Sequence, residues 1–199
     1  RRFTDEHDRK QWAKLKSLPN LLYTDGNAFS LWRNGALIDK VVTLEGDIAD
    51  AGAKLVAPAT LLPLITDFLS WNPIPPRNAR QLAETAARLC RLLRDEVTEE
   101  LERNNAGLTS LATEWRTLLF PQASDAEFAD GYAQAVTFGL LVARARGIEL
   151  KDGIDKAALE LRRTNSLIAT ALRLLTDDPE NQQALESALR TLTRVLDVV

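Results

Sequence analysis

Apolar and polar positions alternate with two different periods along this chain, and the period changes twice. Between Asn20 and Leu44 the pattern is short and strand-like. Asn20 to Thr24 predicts a first strand, Asp25-Gly26-Asn27 a turn, Ala28 to Arg33 a second strand and Ala36 to Leu44 a third. In the second strand Phe29 and Leu31 fall on one face, and Ala28, Ser30 and Trp32 on the other. Asn34-Gly35 predicts a hairpin, because this dipeptide supplies the two positive-φ positions of a type I′ turn. A helix from Thr4 to Leu18 precedes the strands, with Thr4 as its cap, Asp5 and Glu6 in its first turn and Pro19 as its stop. Three strands and one helix make a weak independent fold, so residues 1–45 read as the tail of an α/β domain.

Residues 46–58 carry little periodicity and read as a linker. Residues 59–199 then read as a helical bundle. Thr60 to Trp71 predicts a helix, ended by the extended run Asn72-Pro73-Ile74-Pro75-Pro76. Asn78 with Gln81 resembles a capping box and opens a long helix to about Arg103. Leu82, Ala86, Leu89, Leu93 and Val97 form its buried stripe, and Asn104-Asn105-Ala106-Gly107 ends it. Leu111, Trp115, Leu118 and Leu119 mark a shorter helix closed by Pro121. Ser124 with Glu127 is a cleaner capping box, starting a helix that runs to Gly147. Its middle, Ala133 to Ala143, is apolar nearly all round and belongs at the centre of the bundle. Two last helices are expected, Ile154 to Leu175 and Pro179 to Val199, the second capped by Asp178. The fold class is thus mainly α: a helical bundle preceded by one helix and a three-stranded antiparallel meander.

Composition narrows the function more by exclusion than by indication. A net charge of −3 leaves no global footprint for nucleic acid, so any DNA contact needs a local basic face. The single cysteine, Cys90, excludes an internal disulfide and fits a reducing cytoplasm. No window resembles a signal peptide or a membrane span. Methionine is absent even at position 1, so the chain is expected to be a piece of a longer polypeptide.

Catalytic patterns are scarce. The sequence holds no phosphate loop, no dinucleotide glycine pattern and no zinc pair. His7 is the only histidine and lies in the charged run Asp5 to Lys10, the composition of a solvated helix start. Cys90 borders a buried stripe and reads as a small hydrophobe. Asp125, Glu127 and Asp130 occupy the first turns of a helix, where dipole and free amides favour carboxylates; no metal site is assigned there. Trp115 and Trp71 read as packing residues, and Trp32 as cover for one face of the sheet. Arg77, Arg80, Arg88, Arg91 and Arg94 lie on or just before the long helix. Such a row fits phosphate contacts, and equally an ordinary solvated face paired with Glu84, Asp95 and Glu99.

Several stretches together resemble a known family. His7-Asp8-Arg9-Lys10-Gln11-Trp12, Leu18 to Gly26 and Phe29 to Gly35 resemble the end of the N-terminal nuclease-like domain of large bacterial restriction–modification proteins. Phe68 to Trp71, Arg88 to Glu96, Phe128 to Leu141, Thr164 to Ile168 and Leu192 to Asp197 resemble the helical spacer before an adenine-N6 DNA methyltransferase domain in actinobacterial members. The likeness spans nearly the whole chain in the family's order. It implies that Gln11 matches the glutamine of the nuclease-type helix. The family's acidic–x–lysine motif does not stand in this sequence, nor do a glycine-containing cofactor loop and an Asn-Pro-Pro-Tyr tetrapeptide. S-adenosylmethionine is therefore implied for the parent protein, with no cofactor in this segment. The expected role is a non-catalytic connector between nuclease-like and methyltransferase domains, meeting DNA through the parent and adding backbone contacts through Arg77, Arg80, Arg88 or Arg91. The competing expectations are a helical protein-interaction adaptor without DNA contact and, last, a small hydrolase using His7.

Overall fold

The computed structural model describes residues 6–50, 54–118, 120–162, 166–176, 183 and 185–199. The expected caps at Thr4 and Asp178, and Pro179 beside the latter, lie outside the described residues. The chain divides into two compact units, Arg1–Pro73 and Ile74–Val199.

The first unit holds α1 (Glu6–Leu15), β1 (Leu21–Thr24), β2 (Ala28–Arg33), β3 (Ala36–Thr43) and α2 (Leu61–Leu69). The strands form one antiparallel sheet in the order β1-β2-β3. Asn34 and Gly35 adopt φ of 51° and 80°, the pair of left-handed residues that a type I′ turn needs. Leu21 faces Trp32 and Tyr23 faces Ser30 across the first ladder, so their side chains share a face. Trp12 of α1 covers that face, its ring edge-on to Trp32 at 4.5 Å and to Tyr23 at 5.5 Å. The opposite face carries Leu31, which is buried, and α2 lies on it. Leu64 is the buried residue of α2; the Asn20 side chain donates to the Phe68 carbonyl (3.0 Å), and Arg33 pairs with Asp67 (2.8 Å).

Two expectations change here. The helix predicted to begin the bundle, α2, belongs with the sheet, because its apolar positions serve as the cover of the Leu31 face. The stretch read as a linker folds back on the same unit. Glu45 and Val56 form an antiparallel bridge, and the Asn27 side chain donates to the Gly46 carbonyl (3.1 Å) while accepting from the Ile48 amide (3.0 Å). Gly46, at φ 90°, is required at this crossing, since a Cβ there would stand 2.9 Å from the Lys54 carbonyl oxygen. Between Phe29↔Val42 and Leu31↔Ile38 the second ladder slips, setting Ser30 against Asp39, Lys40 and Val41, with Asp39 at φ 55°. The surplus on β3 is two residues, so the alternation of faces survives the bulge.

The second unit holds α3 (Ala79–Glu102), α4 (Ala106–Leu118), α5 (Asp125–Ala145), α6 (Ile154–Leu161), α7 (Ser166–Thr176) and α8 (Glu186–Leu196). Asn78 caps α3 by accepting from the Gln81 amide (2.9 Å), but Gln81 returns its side chain to the Arg77 amide (2.9 Å), one residue outside the predicted box. Asn104, at φ 60°, ends α3, and the Asn105 side chain starts α4 by accepting from the Leu108 amide (3.0 Å). Ala86, Leu89, Leu93 and Val97 of α3 are buried as the stripe predicts, joined by Leu92, Leu101 and the carboxylate residue Glu96. α5 packs against α3, α6, α7 and α8, which makes it the hub of the core. Phe128, Tyr132, Val136 and Leu140 are fully enclosed. The hub is not covered all round, however: Phe138 is 59% exposed, and Val142 also faces solvent. The helix expected over Ile154 to Leu175 is two, α6 and α7, which pack against each other.

The last helix is held at both ends. α8 has no side-chain cap from its own N-cap residue, Leu185; the Glu96 carboxylate of α3 accepts from the Ala188 amide instead (3.2 Å). At the other end Asp197 accepts from the Leu150 amide (2.7 Å), which opens the 3₁₀ turn Leu150–Asp152 after α5. Among the described residues no helix is long and apolar enough to cross a membrane.

Candidate functional site

In the first unit Gln11 lies on the exposed side of α1, its side-chain carbonyl accepting from the Tyr23 hydroxyl at 3.4 Å. It borders the Trp12–Trp32–Tyr23 cover, where it trims the edge of a packing cluster. His7 sits one helical turn earlier on α1. Among the described residues no group of three or more His, Cys, Asp or Glu is placed to hold a metal ion. On the other side of the sheet β3 and α2 frame a groove of about 810 Å³, floored by Leu31, Ile38, Val42, Pro63 and Leu64. Its walls include neither histidine nor cysteine.

In the second unit the arginine row is thinner than its spacing promises. Arg80 is paired with Glu84 one turn on (3.0 Å), and Arg88 donates to the Thr85 hydroxyl (3.4 Å). Arg94 grips Asp95 with Nε and Nη2 (3.0 and 2.8 Å) and reaches Asp130 of α5 at 3.9 Å. The Asp95 hydrogen bond is the main cause of Arg94 holding its proton still more firmly than a free guanidinium. Arg94 thus works between helices instead of continuing the row. Arg77 and Arg91 are exposed and make no ion pair among the described residues. Gln11 and the arginines belong to different units.

A corner of aromatic and acidic groups, which spacing alone did not single out, lies where α4 ends and α5 begins. Ser124 and Glu127 form a reciprocal capping box: the Ser124 hydroxyl accepts from the Glu127 amide (3.2 Å), and Glu127 accepts from the Ser124 amide and hydroxyl (2.8 Å each). Those two bonds, the backbone one first, hold the Glu127 carboxyl below its ordinary value of 4.5. Both end on Oε2, leaving Oε1 open. Asp130 accepts from the Gln134 side chain (2.7 Å). Arg116 is spent locally, donating to the Ala123 carbonyl (2.7 Å) and pairing with Asp125. Trp115 stands edge-on to the buried Phe128 at 5.7 Å and tilts 30° to Phe120 at 6.3 Å. A Cβ at position 131 would come within 3.2 Å of the Trp115 ring, so Gly131 lets that ring lie against α5. A cavity of about 570 Å³ opens between these groups. The sequence signal for it is Phe120 beside Pro121, a large aromatic outside every apolar stripe; it is 56% exposed.

Cys90, half-buried on α3, has its thiol pushed up mainly by burial, with the Thr137 hydroxyl the chief offset. Burial of this kind disfavours the thiolate. Trp32 is accounted for by Trp12, and Trp115 by Phe128.

No protein-family model matches the chain, and neither a curated protein nor a solved structure does.

Proposed function

We propose that this chain is a non-catalytic connector and scaffold segment of a DNA methyltransferase of the restriction–modification or phage-defence type, working in the cytoplasm. The parent would be an adenine-N6 enzyme using S-adenosylmethionine. No cofactor loop stands in these residues, so none of them is assigned to hold that group. The supporting observation is the fastening of α8, held by Glu96 at its start and by Asp197 at its end. A helix tied in this way transmits position to whatever domain follows it, whereas a frayed end would act as a flexible tether. The resemblance of residues 7–35 to the end of a nuclease-like domain, and of the helical stretches to the spacer before a methyltransferase domain, supplies the rest of the reading.

DNA contact in this scheme is modest and unspecific. It falls to Arg77 and Arg91, with Arg88 beside them; Arg80 is already engaged by Glu84. Two or three phosphate contacts give a slope of log affinity against log salt of about −2 to −3. Fluorescence anisotropy with a labelled duplex across a salt series tests this. Arg77→Glu with Arg91→Glu should flatten the slope toward zero, and Arg80→Glu should change it little. Absence of binding at low salt would remove DNA contact and leave the protein-interaction adaptor, a reading favoured by the aromatic and acidic cavity.

A further inference from the structure

The cavity between α4 and α5 has features that a connector role leaves unused. Its walls are the rings of Trp115 and Phe120, and its rim carries the carboxylates of Glu127 and Asp130. Phe120 exposes more than half of its surface at a place where the core nearby is closely filled. Aromatic faces are negative at their centres and attract cations, and a carboxylate with an unused oxygen adds a second attraction for the same group. Of the nearby arginines, Arg116 is taken by Ala123 and Asp125, and Arg94 is held by Asp95 and reaches Asp130 only at 3.9 Å, which leaves Oε1 of Glu127 as the rim's open acceptor. Phosphates are a poor match for this rim, and a purely apolar helix would leave both carboxylates facing hydrocarbon. From this complementarity we infer that the cavity receives an arginine or lysine side chain from a basic peptide segment of a partner protein. A volume of about 570 Å³ accommodates such a side chain with part of its backbone. Neither Arg77 nor Arg91 lines the cavity, and the site does not rest on the DNA-contact reading.

The test uses the full chain and short fluorescent Gly/Ser peptides that carry arginine, lysine or glutamate, followed by anisotropy at low salt. Saturable binding of the arginine and lysine peptides, with none of the glutamate peptide, is expected. Phe120→Ala and Asp130→Asn, both at positions outside the closed core, should each weaken binding about threefold or more. Circular dichroism confirms that the variants stay folded. Arg77→Glu with Arg91→Glu should leave peptide affinity unchanged, which separates failure of this site from failure of DNA contact. The proposal is overturned if the arginine peptide does not bind saturably, or if binding survives both cavity substitutions.

Discussion

Gly139 stands where α5 meets α7, and its missing side chain sets how near the two helices come. A Cβ there would lie 2.4 Å from Cγ2 of Ile168 and 3.4 Å from Cδ1 of Leu172. On an exposed helix, replacing glycine by alanine gains about 0.5–1 kcal/mol of backbone entropy. Forcing a methyl group into a filled crossing costs about 1–3 kcal/mol, so the crossing wins. Gly139→Ala should therefore lower stability by about 1–2 kcal/mol, seen as a lower urea midpoint with an unchanged slope. Two turns nearer the start of α5, Tyr132 is fully enclosed and donates to the Ala171 carbonyl of α7 at 3.0 Å. Burial keeps that phenol protonated, which preserves the donor. A small residue for closeness and a phenol for alignment thus fix the same contact.

Among the elements, α8 shows how a helix start can be completed from elsewhere. Its first amides are left open by Leu185, and the Glu96 carboxylate meets both an amide donor and the positive end of the helix dipole. Glu96→Ala should cost about 1–3 kcal/mol. Hydrogen exchange at the Ala188 amide should accelerate more than exchange in the middle of α3; equal acceleration in both would mean that Glu96 only fills space. The elements that the sequence announces are those whose causes lie within a few residues. Asn34-Gly35 carries its own turn, and Ser124 with Glu127 carries its own cap. Glu96 is illegible for the opposite reason, since a carboxylate among leucines reads as a misfit until its partner, 92 residues later, is known. The same distance effect reassigns α2: its amphipathic pattern states that a face is buried, not which surface buries it. Of the candidate residues, spacing placed Arg88, Arg91 and Arg94 together, but only packing shows that Arg94 is drawn to Asp130.

At the level of the whole molecule, the two units meet in sequence at a stretch that no backbone ladder protects. Residues 71–76 have no regular structure, Ile74 is 77% exposed, and Arg77 follows on the surface. Limited trypsin digestion should cut early after Arg77 and leave a resistant fragment beginning at Asn78, identified by mass spectrometry. Comparable early cutting inside α3 or α5 would contradict the division into units. The bond between Glu96 and the Ala188 amide also orders events in time. At about 5–20 residues per second of synthesis, the ribosome needs roughly 5–20 s to make the 92 residues between them. Throughout that interval a nascent chain carries the part of α3 that α8 will cover, Glu96 included, without that cover, a window in which a chaperone rather than α8 is the natural companion of that surface.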